Sequence, residues 1–293
     1  MTTWVAQPAT EEQFVLGEGP VWDGTRQRLL WVDIVQGLVL EGVLEDDRIR
    51  VTARHEFPQT VGAVTVAADG RLLVAAHGHL VVMNERGDRS DGPRVVPSGQ
   101  DRRLNDGKPD PVGRYLVGTR AFGPSTSEEL VRIGADGSVN VIDDDLTLAN
   151  GLAWSPDGSL LYTVDTLAGD IWVRDYDVAT GSTGERRLFV HVTDGYPDGI
   201  CTDSEGHVWV AIWSRGEVRR LDPSGSLVGR VLVPAPHTSS VAFAGPNLDV
   251  LVITTATDEL DDASLAAYPD SGRLFLSHVG VTGTPVAHWD PAT

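Results

Sequence analysis

A unit of about 44 residues recurs six times along this chain of 293 residues, at a spacing typical of β-propeller blades. Each unit opens with a glycine, continues into a short apolar strand, turns at a pair such as Asp-Gly, and enters a second apolar strand. The first five units start at Gly19, Gly62, Gly107, Gly151 and Gly199, in steps of 43, 45, 44 and 48 residues, and the sixth starts at Ser240 without the glycine. Because propeller blades contain about four strands each, the repeat predicts an all-β fold, a six-bladed β-propeller.

Composition and continuity support one domain. The chain has 32 Gly and 17 Pro, and its short Val- and Leu-rich segments alternate with turn residues, as expected for strands and tight turns. No linker, charge block or low-complexity tract interrupts the repeat, so residues 1–293 are predicted to form a single propeller. We expect residues 257–267 to form a short surface helix, and a strand at residues 4–6 to complete the last blade beside residues 286–290.

The net charge limits the partners of this chain. A formal charge of −19 and a pI near 4.6 oppose binding to nucleic acid or to anionic membranes, since both are negatively charged. The N-terminus lacks the pattern of a signal peptide, and no apolar segment is long enough to span a bilayer. Cys201 is the single cysteine, so no intramolecular disulfide is possible. We expect a cytoplasmic protein, a monomer or a weak homo-oligomer, acting on a small molecule.

The residue before each opening glycine is predicted to recur at one height around the central channel, because the first strand of every blade lines it. The six positions are Glu18, Val61, Asp106, Asn150, Asp198 and Ser239. Three are carboxylates and one is an amide, and buried carboxylates repel one another unless a cation or a proton lies between them. The register therefore predicts one divalent metal in the channel, with Glu18, Asn150 and Asp198 as ligands from three different blades.

Oxygen donors without histidine or thiolate favour hard cations. Calcium is the preferred ion, with zinc, manganese, magnesium and iron as alternatives. Asp-Gly and Asn-Gly pairs are also common in turns, so only the shared register separates a metal site from a structural role. Arg103 and Asn105 lie just before Asp106. They predict a clamp for a polyhydroxylated or anionic substrate through charge-assisted hydrogen bonds, although a solvated loop would have the same composition.

Four motifs in this order resemble the senescence marker protein, gluconolactonase and luciferin-regenerating enzyme family, also called the regucalcin-like family. They are LGEGPVW around Glu18, RLNDGK around Asn105, ANGLAWSPDGSLLYTVDT around Asn150 and YPDGICTDSEGHVWVAIW around Asp198. The resemblance spans most of the chain and implies a six-bladed propeller with a metal held by Glu18, Asn150 and Asp198. It also implies that Arg103 and Asn105 contact the substrate and that Asp106 helps to shape the pocket.

The activity implied by the resemblance is metal-dependent hydrolysis of a sugar-type (aldono-) lactone to the hydroxy acid. In this hypothesis the metal polarises the carbonyl and a carboxylate activates water, with Asp198 as the catalytic base and Asp106 as the second choice. Two alternatives remain: a phosphotriesterase-like hydrolase using the same metal, and a non-catalytic calcium-binding propeller. Phe122 and Gly123 stand where the resemblance leads us to expect acidic, substrate-facing residues, so the particular lactone is not predicted.

Overall fold

The computed structural model describes residues 1–292, which form strands and one short helix. The chain begins with β1 (Thr2–Val5) and β2 (Gln7–Pro8). Blade 1 consists of β3 (Gly17–Asp23), β4 (Arg28–Asp33), β5 (Leu38–Glu45) and β6 (Arg48–Glu56). Blade 2 consists of β7 (Val61–Val66), β8 (Leu72–Ala76), β9 (His79–Met83) and β10 (Arg89–Arg94). Blade 3 consists of β11 (Arg102–Pro109), β12 (Tyr115–Ala121), β13 (Glu128–Ile133) and β14 (Val139–Leu146).

The second half of the chain completes the six blades. Blade 4 contains β15 (Ala149–Trp154), β16 (Leu160–Asp165), β17 (Asp170–Asp177), β18 (Ser182–Thr183) and β19 (Arg187–His191), the last two both paired with β17. Blade 5 contains β20 (Tyr196–Thr202), β21 (Val208–Trp213), β22 (Glu217–Leu221) and β23 (Leu227–Leu232). Blade 6 contains β24 (Thr238–Ala244), β25 (Val250–Thr255) and β26 (Phe275–Ser277). The helix α1 (Asp262–Ala267) lies within the segment expected to be helical. No helix of residues 1–292 is long and apolar enough to cross a membrane.

The innermost strands form a closed ring, in the order β3, β7, β11, β15, β20, β24 and back to β3. This arrangement confirms the predicted six-bladed propeller, with one blade for each repeat. The N-terminus closes the ring differently from our expectation: β2 pairs with β26 as the outer strand of blade 6, while β1, which contains Trp4, pairs parallel to β23 of blade 5. The expected partner at residues 286–290 forms no strand, because this segment leaves blade 6 and Trp289 bridges Ala67 of blade 2.

The recurring glycine has a physical reason in the close approach of neighbouring innermost strands. A Cβ atom at Gly62 would lie 2.5 Å from the carbonyl oxygen of Asn105 in the next blade, and one at Gly151 would lie 2.5 Å from that of Asp198. Contacts this short exclude any side chain at these two positions, so glycine is required where the neighbouring innermost strand approaches so closely. A Cβ atom at Gly199 would lie 2.0 Å from Oγ of Ser240, the residue that replaces the opening glycine in the sixth unit. The serine at position 240 therefore requires a glycine at position 199.

Six apolar clusters hold the blades together, one between each pair of neighbours. Between blades 6 and 1 the buried residues include Trp31, and between blades 5 and 6 they include Trp209, whose ring packs edge-on against Phe243. Cys201 belongs to the second of these clusters and is 8% exposed. Each blade therefore buries both of its faces against neighbours, as the propeller architecture requires.

The C-terminal segment crosses the end of the channel where the innermost strands finish. Its backbone N–H groups donate to Leu248 of blade 6, Thr202 of blade 5 and Val66 of blade 2. Because the predicted metal ligands lie where the innermost strands begin, this segment covers the opposite end of the channel. The candidate site consequently opens toward one face of the propeller.

Candidate metal centre and substrate cavity

Five of the six channel positions lie within the first three residues of their innermost strands, and Asp106 is the fifth residue of β11. The strand register shifts at this point in all six blades, as in a β-bulge. A bulge reorients a side chain relative to the regular alternation of a strand. The side chains of Glu18, Asp106, Asn150 and Asp198 are all buried here. The bulge therefore accounts for four polar side chains clustering inside a ring of apolar blades.

Three of these side chains are carboxylates in a dry environment, and their protons are held unusually tightly. Burial raises the pKa of Glu18 to about 8, and repulsion from Asp106 adds to the shift. Burial also raises the pKa of Asp198 well above its ordinary value, with further increases from Glu18 and Asp106. The pKa of Asp106 is raised by burial and opposed by the ammonium group of Lys108. Without a bound cation these carboxylates repel one another, so the channel favours positive charge.

The donor atoms of the three predicted ligands suit a hard divalent cation. Asp198 Oδ1 is buried without a hydrogen-bond partner among residues 1–292. The Asn150 amide donates from Nδ2 to Thr166 Oγ1 at 3.1 Å, which leaves its carbonyl oxygen available. Glu18 accepts a hydrogen bond from the backbone N–H of Gly19 at Oε2, at 2.9 Å. An unpartnered carboxylate oxygen beside a second carboxylate and a free amide oxygen is the oxygen donor set that calcium and related ions bind.

Arg103 and Asn105 are buried beside these carboxylates, and their side chains are hydrogen-bonded to each other. Arg103 Nη1 donates to Asn105 Oδ1 at 2.6 Å and to the Leu104 carbonyl at 2.9 Å, while Asn105 Nδ2 donates to the Ala149 carbonyl at 2.9 Å. Burial, together with repulsion from Arg120, lowers the pKa of Arg103 to about 9. The pair is thus a preorganised, buried cation and not a solvated loop.

A cavity of about 330 Å³ opens above the predicted ligands. Glu18, Asn150, Asp198, Arg103 and Asn105 all contribute to its wall, which also contains the following residues: Leu16, Ile34, Arg120, Leu148, Thr166, Leu167, Tyr196, Trp213, Ser214, His237, Asp258 and Glu259. Asp106 does not line this cavity, and its Oδ1 accepts a hydrogen bond from Gly107 N at 2.8 Å. The structure therefore brings together five of the six residues proposed from the sequence on the surface that a ligand would contact.

Several cavity residues escaped the sequence analysis, which assigned no role to any histidine. His237 stacks on Trp213 with ring centroids 4.1 Å apart, and its Nδ1 lies 2.9 Å from the carbonyl oxygen of Asp258. A carbonyl accepts only, so Nδ1 carries the proton and Nε2 is an acceptor. A signal was present: His237 and Tyr196 each stand two positions before a channel residue, on the same face of an alternating strand.

A second acidic group lies elsewhere. Within residues 1–292, Asp203, Glu205 and His207 are the one group of three such side chains whose ligand atoms all lie within 4.8 Å of one another. They follow β20 at the end opposite Asp198, and Arg220 already occupies the group, with contacts of 2.7 Å to Asp203 and 2.6 Å to Glu205. Arg220 offsets one of the two negative charges of this group, so the repulsion between its carboxylates is reduced.

Fold and site define a six-bladed propeller with an acidic central channel beneath an open cavity. A sequence profile of the SMP-30/Gluconolactonase/LRE-like region matches residues 16–257. The chain belongs to this family.

Individual relatives are similar over nearly their whole lengths. The pentonolactonase XacC of Haloferax volcanii is 35% identical over 279 residues, covering 92% of this chain and 93% of that protein. Human regucalcin is 32% identical over 278 residues, covering 91% and 92%. Among solved structures, a calcium-binding regucalcin from Agrobacterium tumefaciens superposes with a TM-score of 0.92 at 28% identity, covering 99% of both chains. A luciferin-regenerating enzyme superposes with a TM-score of 0.88 at 30% identity, covering 96% of this chain and 97% of that one.

Proposed function

We propose that this protein is a metal-dependent lactonase that opens a sugar-type (aldono-) lactone to the hydroxy acid. The observation that supports the proposal is that Glu18, Asn150 and Asp198, from three different blades, all line one cavity open to small molecules. Similarity to a pentonolactonase over 92% of the chain supports the reaction class. A structural calcium site alone would not require a cavity above the ion.

Glu18, Asn150 and Asp198 are the residues that would hold the metal, and calcium fits their oxygen donors best. When bound, the ion would supply a Lewis acid that polarises the lactone carbonyl and stabilises the negative charge that develops on it. Thr166 keeps the amide of Asn150 oriented with its oxygen available, through the bond from Nδ2. Outer partners of this kind fix the orientation of ligands in metal sites.

Arg103 and Asn105 orient the substrate in this proposal. The Nη1 atom of Arg103 is occupied by Asn105 and by the Leu104 carbonyl, which fixes the plane of the guanidinium and directs its remaining N–H donors. Such a fixed fork binds hydroxyl or carboxylate oxygens with little loss of conformational entropy. Holding the ring in one orientation lowers the barrier because the reacting atoms no longer need to find each other.

Asp198 is the proposed general base. It lines the cavity, and its Oδ1 has no hydrogen-bond partner within the described part of the chain, so it can accept a proton from an attacking water. Asp106 remains the second choice. Its absence from the cavity lining and the hydrogen bond that it accepts from Gly107 support Asp198 over Asp106.

The test is proton release at constant pH from a panel of aldonolactones, using metal-stripped protein with calcium, magnesium, manganese or zinc added back. We expect metal-dependent turnover in the wild type and its loss in Glu18→Gln, which keeps the side-chain volume but removes a ligand charge. Glu205→Gln is the matched control, because Glu205 lies outside the cavity and pairs with Arg220. Turnover lost in the control and kept in Glu18→Gln would contradict the channel site, and no turnover with any metal and lactone would contradict the lactonase.

A further inference from the structure

Arg120 is a cation inside the cavity that the proposed reaction does not use. It stands on β12 directly opposite Arg103 of β11, and its side chain lines the cavity wall. Its guanidinium makes no hydrogen bond and no ion pair with any of residues 1–292. An arginine offers five N–H donors, and a partly buried one without a protein partner is available to an oxygen-rich ligand.

Arg120 and Arg103 share their surroundings with the carboxylates of Glu18 and Asp198, whose negative charges the proposed divalent ion would offset. Arg103 and Arg120 are close enough to repel each other electrostatically. The three residues that follow Arg120 carry no charge: Ala121, Phe122 and Gly123. Phe122 stacks against His77 with ring centroids 6.1 Å apart. The acidic residues of the rim, Asp258 and Glu259, belong to blade 6 and form no ion pair among the described residues.

The cavity therefore offers a carboxylate part and a guanidinium part, and the two are close enough for Asp258 to interact electrostatically with Arg103. Carboxylates on the blade 6 rim accept hydrogen bonds from hydroxyl groups, whereas two guanidinium groups in blade 3 attract an anion. A neutral sugar lactone satisfies the first part and leaves the Arg120 donors unpaired. A lactone with a free carboxylate satisfies both parts, because a carboxylate binds the arginine fork through two parallel hydrogen bonds.

We propose that Arg120 binds a carboxylate of the substrate, so that the preferred substrate is a lactone carrying a second, free carboxylate, the monolactone of a sugar diacid. This assignment rests on the proposed lactonase function and names its substrate class. The cavity volume of about 330 Å³ is at the lower end of the range for small-molecule sites, which suits a single sugar-acid ring.

Arg120 also has a possible competing role, since its charge favours the ionised form of Asp198. If it acted only through Asp198, its removal would affect all lactones equally. If it binds the substrate, its removal would affect the anionic lactone far more than the neutral one. The ratio of kcat/KM for the anionic lactone to kcat/KM for the neutral lactone therefore distinguishes the two roles.

The experiment measures kcat/KM with added metal for glucaro-1,4-lactone, which has a free carboxylate, and for galactono-1,4-lactone, which is neutral. We expect the wild type to prefer the anionic lactone and Arg120→Met to lower the ratio of anionic to neutral kcat/KM by about 10- to 100-fold, the worth of a charge-assisted pair. Arg120→Lys should recover part of the ratio, because it restores the charge but not the fork. Arg187→Met is the control, since Arg187 is an exposed residue of blade 4 paired with Asp175.

A wild type that hydrolyses the neutral lactone without preferring the anionic one, or a ratio unchanged in Arg120→Met, overturns the assignment of Arg120 and leaves the lactonase intact. A wild type that hydrolyses neither lactone points instead to failure of the proposed reaction. In that case the role of Arg120 is still tested by calorimetric titration, which compares the binding of glucarate with that of gluconate. These two sugar acids differ by one carboxylate. Tighter binding of glucarate that is lost in Arg120→Met supports the anion site, and equal binding overturns it.

Discussion

Thr166 offers a sharp test of how the metal centre is built, because it touches the predicted ligand Asn150 and is not itself a ligand. Its hydroxyl oxygen accepts the hydrogen bond from Asn150 Nδ2 at 3.1 Å, and both residues are buried. Thr166→Val keeps the shape of the side chain but removes the acceptor. The amide of Asn150 then has an unsatisfied donor and is free to rotate and turn its NH₂ group, which cannot bind a cation, toward the metal.

The size of the effect follows from the cost of leaving a buried donor unpaired, which is about 1–3 kcal/mol. If the metal-bound orientation of Asn150 loses that amount, the dissociation constant of the metal rises by about 5- to 150-fold. Loss of an outer partner in known metal sites has a similar effect of about 10- to 100-fold. We therefore expect weaker metal binding, with turnover at saturating metal reduced much less.

The assay is calorimetric titration of metal-stripped protein with calcium, and with the other ions if calcium does not bind. Thr202→Val is the matched control: Thr202 is also buried, and its hydroxyl donates one hydrogen bond to the Trp154 carbonyl at 2.7 Å, far from the predicted ligands along the channel. Both variants should lose a similar free energy of unfolding, about 1 kcal/mol. Unchanged metal affinity in Thr166→Val, or an equal loss in Thr202→Val, would refute the reasoning.

Three further outcomes follow from the same geometry. In metal-free protein the folded state holds the Glu18 proton more tightly than the unfolded state does, because folding raises the pKa of Glu18 from 4.5 to about 8. The free energy of unfolding should therefore fall as pH rises through this interval. Urea titrations at several pH values should show a weaker fall in Glu18→Gln. Gly151→Ala, whose Cβ would lie 2.5 Å from the Asp198 carbonyl oxygen, should cost about 1–3 kcal/mol of stability, whereas Gly123→Ala, with no atom within 4 Å, should melt like the wild type. Asp198→Asn should abolish turnover at saturating metal while Asp106→Asn retains a measurable rate, and the reverse result would transfer the role of base to Asp106.

Some features of the site could be predicted because they repeat. Gly62 and Gly151 mark the same point in blades 2 and 4, where a side chain would collide with the innermost strand of the next blade. Once that register is known, Glu18, Asn150 and Asp198 follow as neighbours around one channel, although they are far apart in the chain. Arg103 and Asn105 were identifiable because they immediately precede a channel position of the third unit.

Other features had no repeat to reveal them. Arg120, Trp213 and Asp258 come from the ends of second strands or from the turns after them, and these turns differ in length and composition from blade to blade. Their side chains enter one cavity only because the ring closes. Thr166 was hidden for the same reason, since the bond to Asn150 depends on the path of one turn.

The sequence by itself determined the architecture and the height of the polar ring, because the spacing of glycines and strands is a local property repeated six times. The tertiary structure alone decided how the N-terminus completes blades 5 and 6. It also decided which carboxylates pair with an arginine, as Asp203 does with Arg220, and which lie beside other carboxylates. Those outcomes depend on distances between residues of different blades. Such distances exist only after the six apolar interfaces have formed and the ring of blades has closed.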